Sequence, residues 1–401
     1  MRSSWTFQSA GQLVFGRGAV GRLGSLIRNE GKQRIFVVSD EHLVQAGLVE
    51  LVQAALSAAG LQILVYTGGQ PEPAISTATS AADAARAFRP DCVLGLGGGS
   101  NMDLAKIVAV LLAHGGEPSR YFGFNNVPGP VVPLVCVPTT AGTGSEVSHA
   151  AVLTDTAAAI KVSTLSRYLR PSIALVDPAL SDRCPRQVTA DSGIDALTHA
   201  IEAYTAIDFQ ELDEADGAPV AYEGRYPLGE RLAEEAIHLI GKHLVNAVQA
   251  GDNREARDGM ALAATVAGLA FSNCAVAVVH ALEYPLGGAV HVTHGAGNGL
   301  LLPHVMSYNL PVRGPALAKV ATLLGESTTG LSIADAAERA INSVERISRA
   351  IGIPRRLRDL GVRREQLPGF AEKSFAIKRL MGTNPRQPTL ADLLSILEQA
   401  Y

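Results

Sequence analysis

Four side chains with metal-binding chemistry stand in apolar, helix-like surroundings in this sequence. Asp195 and His199 lie four residues apart in SGIDALTHAIEAY, a run that reads as helix, so they share one face. His280 ends the apolar run CAVAVVH, and His294 follows fourteen residues later in HVTHGAGNG. A lone histidine on an apolar face is ordinarily a core residue satisfied by one hydrogen bond. Burying all four groups is costly without a shared cation. One carboxylate and three imidazoles make a borderline set suited to divalent iron or zinc, with positions open for substrate or water. Thiolates at short spacing are missing, so the set leans catalytic rather than structural. Its chemistry would be Lewis-acid polarisation of a substrate oxygen. His291 and His304 are read chiefly as supporting groups, and His149 in SEVSHAAV more weakly still.

A second constellation has phosphate chemistry. LGLGGGSNMDLAK sets Gly97, Gly98 and Gly99 between a strand-like run and a helix-like run, with Ser100 heading the helix. Glycines allow close backbone approach, and free N–H groups at a helix start attract phosphate oxygens. This is a plausible pyrophosphate cradle, although it departs from the G-x-G-x-x-G fingerprint and a plain tight turn is the alternative. The next strand-like run ends in PTTAGTGSEVS, which supplies Thr139, Thr140, Thr143 and Ser145 to the same crevice. Asp40, at the end of RIFVVSD, suits a ribose hydroxyl and repels a 2′-phosphate, favouring NAD over NADP. The competing reading makes Asp40 an N-cap for the following helix.

Elements must exist to carry these groups. The first part alternates β-rich runs at 34–40, 61–68, 91–100 and 132–140 with helix-like stretches, the rhythm of a parallel α/β sheet. After about Pro185 the strand signals fade and Ala/Leu-rich periodic runs continue to the last residue. The expected division is therefore an α/β dinucleotide-binding domain over 1–184 and an all-helical metal and substrate domain over 185–401. Residues 209–229 are acidic and aperiodic, the mark of a surface excursion. With 401 residues, 47% hydrophobic and 18% charged, the chain can bury a large core. The net charge of −4 and the lack of a basic cluster argue against nucleic acid or an anionic membrane as partner. Four scattered cysteines and a first segment without an apolar core point to a reduced, cytoplasmic setting. The apolar run at 260–282 is long enough to cross a bilayer, but its Ala content, Ser272, Asn273 and His280 make it a core helix instead.

Together, GGGSNMDLAK, PTTAGTGSEVSHAAVLTD, SGIDALTHAIEAY, HALEYPLGG and THGAGNGLLLPHVMSYN resemble the iron-containing (group III) alcohol dehydrogenase family, in order and over nearly the whole chain. The resemblance implies an active site in a cleft between an N-terminal dinucleotide-binding domain and a helical domain. It implies metal ligands at Asp195, His199, His280 and His294, and cofactor contacts at Asp40, Gly97 to Ser100, Asp103, Thr139, Thr140 and Thr143. Lys161 matches a lysine near the cofactor ribose. Homodimers or larger assemblies are the family's habit.

Three departures stand out. Tyr284 replaces a second histidine in HALEYPLGG, so the proton route could run through Tyr284, His291, a ribose hydroxyl or solvent. Glu72 replaces an asparagine beside the cofactor. The excursion at 209–229 resembles the hydroxyacid–oxoacid transhydrogenase branch, which would retain NAD. A sugar-phosphate cyclase-type lyase would need Lys/Arg residues around the metal, and a non-enzymatic binding protein would leave the coexistence of the two motif sets unexplained. With no obvious arginine to clamp a carboxylate, small alcohols and aldehydes are the expected substrates.

Overall fold

The computed structural model describes residues 2–158, 160–212, 220–290 and 292–401, which fall into two compact units, Gln8–Cys184 and Met1–Phe7 with Pro185–Tyr401. The change of unit at Pro185 coincides with the change of pattern in the sequence. The first residues, expected with the α/β part, are tied instead to the helical unit, where Trp5 stacks on Tyr226 at 4.4 Å and Arg2 pairs with Glu223.

The α/β unit is built on strands β1 (Gln12–Phe15), β2 (Arg34–Val38), β3 (Gln62–Tyr66), β4 (Cys92–Gly97), β5 (Gly123–Phe124), β6 (Leu134–Pro138), β7 (Ala150–Asp155), β8 (Ile160–Leu165) and β9 (Ile173–Val176). Six of them form one sheet in the order β1-β9-β6-β4-β2-β3, with every pair parallel. Helices α1 (Leu23–Asn29), α2 (Glu41–Gln45), α3 (Leu48–Ala58), α4 (Ile75–Arg86) and α5 (Gly99–His114) connect or follow the strands. Alternation along β2 shows how the sheet is covered. Ile35 and Val37 join Leu23, Val52 and Leu56 of α1 and α3 on one face, while Phe36 and Val38 join Ala78, Ala82 and Ile107 of α4 and α5 on the other. A sheet buried on both faces explains why its strands read as continuous apolar runs. The sequence runs at 34–40, 61–68, 91–100 and 132–140 contain β2, β3, β4 and β6. Strands β1 and β9, four residues each, and the antiparallel β7–β8 pair are additions, because their short or Ser/Thr/Lys-bearing sequences give a weak signal.

Between β2 and β4 the strand order reverses direction, which makes the carboxyl ends of these two strands the switch point where open α/β sheets take ligands. Asp40 follows β2 and Gly97 ends β4, so both lie at that point.

The helical unit contains α6 (Arg186–Thr205), α7 (Pro227–Gln249), α8 (Arg254–Phe271), α9 (Val278–Val290), α10 (His294–Leu323), α11 (Ile333–Ile351), α12 (Leu367–Phe375), α13 (Lys378–Thr383) and α14 (Leu390–Ala400). Caps are explicit at several starts. Asn253 accepts from the Ala256 N–H, Ser332 from Asp335, and Thr389 forms a reciprocal box with Asp392. The apolar run expected as one core helix is split between α8 and α9 by residues 272–277, and among the described residues no helix is long and apolar enough to cross a membrane.

Candidate functional site

In the α/β unit a candidate cofactor site is made by backbone. Gly97 has φ of +143°, and a Cβ there would fall 2.3 Å from the Asn101 amide nitrogen, so only glycine allows the chain to leave β4 and start α5 at this angle. Asn101 holds the turn by donating through Nδ2 to the Leu96 carbonyl and to Asp40 Oδ2, at 3.1 and 2.7 Å. Asp40 caps α2 as well, its Oδ1 accepting from the Leu43 N–H at 3.0 Å. The N-cap reading is therefore part of its role. The second polar loop lies against the first. The Thr139 N–H donates to the Gly97 carbonyl at 3.0 Å, and the Thr140 and Thr143 side chains flank the space over Gly98 and Gly99. Thr140 Oγ1 is buried with no hydrogen-bond partner, an orphaned hydroxyl beside the glycine turn.

Not every polar residue of these loops is placed to face a ligand. Ser145 Oγ donates to Asp103 Oδ1 at 2.6 Å and accepts from the fully buried Lys106 at 2.7 Å, and Asp103 Oδ2 accepts from the Val152 N–H at 2.9 Å. Burial pushes the Asp103 carboxyl up, and Lys106, Ser145 and Val152 act against that push. Asp103 and Ser145 thus brace the loop from behind. Ser100 Oγ accepts from the Glu72 N–H at 3.2 Å, and Glu72 forms an ion pair with the buried Lys161 at 2.8 Å, which ties the position that departs from the family pattern to the expected ribose lysine.

In the helical unit a candidate metal site is made by side chains. Asp195 and His199 share one face of α6, His280 lies in the first turn of α9 and His294 opens α10. Close helix approach brings them together. A Cβ on Gly295 would stand 1.9 Å from the Asp191 carbonyl, and one on Gly299 would stand 2.6 Å from Ile194, so α10 can lie on α6 only with glycine at these positions. Thr293 fastens the junction by donating to Asp191 at 2.8 Å.

Ligand atoms of Asp195, His280 and His294 lie within 4.8 Å of one another. His199 stands beside this set. Its Nε2 is 3.9 Å from Asp195 Oδ1, the same separation as that of His280 Nε2, and its ring stacks on His280 and on Phe271 at 4.8 and 4.2 Å. Two ligands each about 2.1 Å from one ion stand at most about 4.2 Å apart, so the donor atoms need only sub-ångström closing to hold a divalent cation. The protonation pattern also fits. His280 Nδ1–H donates to Glu202 Oε2 at 2.5 Å, and His294 Nδ1–H donates to the fully buried Glu283. Both Nε2 atoms are left with lone pairs toward the shared space. Glu202 Oε1 also accepts from the Val279 N–H at 2.8 Å, which fixes the start of α9.

Asn298 supplies a further test of fit. Its Nδ2 is 2.8 Å from Asp195 Oδ1, 3.3 Å from His280 Nε2 and 3.2 Å from His294 Nε2. An amide has two protons for these three acceptors, so the convergence demands more positive charge than Asn298 offers. Burial pushes the Asp195 carboxyl up, but His199, His294, His280 and Asn298 together hold it below the usual carboxylate range. His294 is 32% exposed while Asp195, His199 and His280 are buried, so the set opens on the His294 side.

Tyr284 is buried, with its ring 6.2 Å from that of His294 and its phenol hydrogen-bonded to the Arg379 guanidinium, which also engages Tyr222. The structure thereby places an arginine near the metal set where the sequence suggested none. His291 lies outside the described residues. Glu202, Glu283 and Asn298 escaped the sequence reading, although each stands three or four residues from a histidine of the set, on the same helix face.

The family model for iron-containing alcohol dehydrogenase matches residues 10–178, and the model for the C-terminal part of the Fe-containing alcohol dehydrogenase family matches residues 221–401. The NAD-dependent methanol dehydrogenase of Bacillus methanolicus is 37% identical over 387 residues, which is 96% of this chain and 97% of that protein. The 1,3-propanediol dehydrogenase of Klebsiella pneumoniae is 36% identical, covering 96% of each chain. A crystal structure of a 1,3-propanediol oxidoreductase superposes with a TM-score of 0.92 at 35% identity, over 99% of this chain and 100% of that one. The shared motifs, the parallel sheet followed by a helical unit, and the histidine–carboxylate set lead to one conclusion: the chain belongs to the iron-containing alcohol dehydrogenase family and is an alcohol–aldehyde oxidoreductase.

Proposed function

We propose that the protein transfers a hydride reversibly between NAD and a small alcohol or its aldehyde, using a divalent metal held by Asp195, His199, His280 and His294. The convergence of Asp195, His280 and His294 around one point, with both histidine Nδ1 atoms taken up by buried glutamates, carries this reading. When bound there, the ion supplies Lewis acidity toward the substrate oxygen. Iron fits the family and this donor set, and zinc accepts the same donors.

The chain's own groups do the remaining work. Glu202 and Glu283 fix the tautomer and direction of two imidazoles, so that little reorganisation accompanies reaction. Gly97 to Ser100 offer backbone N–H groups to a pyrophosphate, with Thr139, Thr140 and Thr143 forming the opposite wall. Asp40, already oriented by Asn101, accepts from the adenosine ribose and disfavours a 2′-phosphate, and Lys161 serves the second ribose. Tyr284, its phenol beside the Arg379 guanidinium, is the described side chain suited to relay the proton. Asp103 and Ser145 contribute by bracing the loop. Relatives named for methanol and 1,3-propanediol support a short alcohol or diol as substrate. A homodimer or larger assembly fits the family reading, and a cytoplasmic setting fits the four free cysteines.

The Arg379 guanidinium beside Tyr284 supports one second reading, in which a hydroxyacid carboxylate is bound; in the transhydrogenase form of that reading NAD would stay bound between half-reactions. Metal content and NAD reduction measured together across short alcohols, diols and hydroxyacids test both. Metal-linked reduction of NAD by alcohols supports the first reading. Hydroxyacid–oxoacid exchange without added nicotinamide supports the second, and no turnover in either assay refutes both.

A further inference from the structure

On α10 the residue after Asn298 is Gly299, and Gly299 with Leu300 forms one wall of a cavity of about 160 Å³ within the helical unit. Arg349 of α11 and Arg355 and Arg356 of the following loop line this cavity, together with Glu345, Ser348 and His304. A left-handed cap gathers the arginines. Gly352 ends α11 at φ of +89°, the Ile353 N–H turns back to the Ser348 carbonyl at 2.9 Å, and Ile353 is buried to 4% exposure. The chain therefore folds over the last turn of α11, and Arg355 and Arg356 come beside Arg349.

Elsewhere in this unit, Arg225, Arg231, Arg313, Arg346 and Arg364 each reach a carboxylate. Among the described residues, no ion pair, hydrogen bond or ring contact engages the guanidinium of Arg349, Arg355 or Arg356, although Glu345 lines the same space. A basic residue in the last turn of a helix is favoured by the helix dipole, which accounts for Arg349 but not for three guanidiniums on one cavity. Three guanidiniums and one carboxylate line this cavity, and Arg349 and Glu345 also border a neighbouring groove that holds Glu326, Asp335 and Glu338. Burial holds the His304 imidazole below its usual range, so it adds a hydrogen-bonding group rather than charge. The Ser348 hydroxyl is buried and without a hydrogen-bond partner.

We propose that this cavity binds a phosphate group, either free or as a small phosphomonoester. Guanidinium forks match phosphate oxygens, and a phosphate charge of about −2 offsets the two unbalanced positive charges, whereas a carboxylate offsets one. The cavity of about 160 Å³ has room for a phosphate with a few carbons. The site is separate from the glycine turn, which belongs to the other unit.

Isothermal titration of the full chain with inorganic phosphate and with glycerol phosphate, at low ionic strength, tests the proposal. Saturable binding is expected, weakened about tenfold or more in the double variant R355S/R356S and in R349S, and unchanged in R364S. These arginines are exposed, so circular dichroism and metal content should stay at wild-type levels. Tighter binding of glycerol phosphate identifies a monoester ligand, and tighter binding of inorganic phosphate identifies the free ion. No saturable binding of either probe, or binding that the arginine variants retain in full, overturns the proposal.

Discussion

The two candidate sites, one in each unit, are built on opposite principles. At the glycine turn the groups proposed to bind cofactor are backbone N–H donors at the start of α5, contributed by consecutive residues and aimed by the φ of Gly97. At the proposed metal site they are side chains from α6, α9 and α10, separated by up to about a hundred residues and aimed by Glu202, Glu283 and the close approach at Gly295. One is fixed by local chain geometry, the other by packing. Substitutions should therefore damage them independently, and the character of the damage should differ.

The sharpest contrast is expected from His280→Ala. Loss of a direct donor should lower metal content and turnover by more than about a hundredfold, since even carboxylates behind metal ligands are worth about ten- to a hundredfold. NAD binding, measured by fluorescence titration, should persist, and a parallel loss of NAD binding would show that the two sites are not independent. Glu283→Gln comes next. It keeps the shape of the side chain but weakens its hold on His294 Nδ1, and metal affinity should fall about ten- to a hundredfold with the fold intact. An unchanged affinity in a competitive chelator titration would show that the carboxylate has no orienting role.

Gly97→Ala probes the glycine turn. A positive φ and a contact at 2.3 Å make the alanine cost about 1–3 kcal/mol of stability, with NAD affinity falling while metal content stays constant. Retention of wild-type NAD affinity would remove the turn from the cofactor site. Asp40→Ala should have the smallest effect. Loss of the α2 cap costs about 1 kcal/mol in denaturant unfolding, and the ratio of NADP to NAD turnover should rise. An unaltered ratio would leave Asp40 with its capping role alone.

The same contrast explains what could be read in the sequence. The glycine turn and its flanking strands were legible because strand, turn and helix follow one another within about ten residues, and the chemistry is that of the backbone. Asp195, His199, His280 and His294 were legible because imidazoles and a carboxylate are conspicuous in apolar helices. Their supporting groups were not. Glu202 and Glu283 look like ordinary helix glutamates until tertiary packing removes them from water, and Asn298 gains its meaning only where α10 crosses α6. Asp103 and Ser145 show the reverse, being polar residues in the right loops whose side chains turn inward to Lys106. The attachment of Trp5 to Tyr226 joins chain segments that no local pattern could relate.

The most direct test of the central claim is a metal titration of the stripped protein, following turnover of a short alcohol with NAD as iron or zinc is restored. Activity should rise with bound metal and saturate at one ion per chain, and His280→Ala should recover none. Full alcohol oxidation by protein freed of metal would contradict the assignment of Asp195, His199, His280 and His294 as the centre of the reaction.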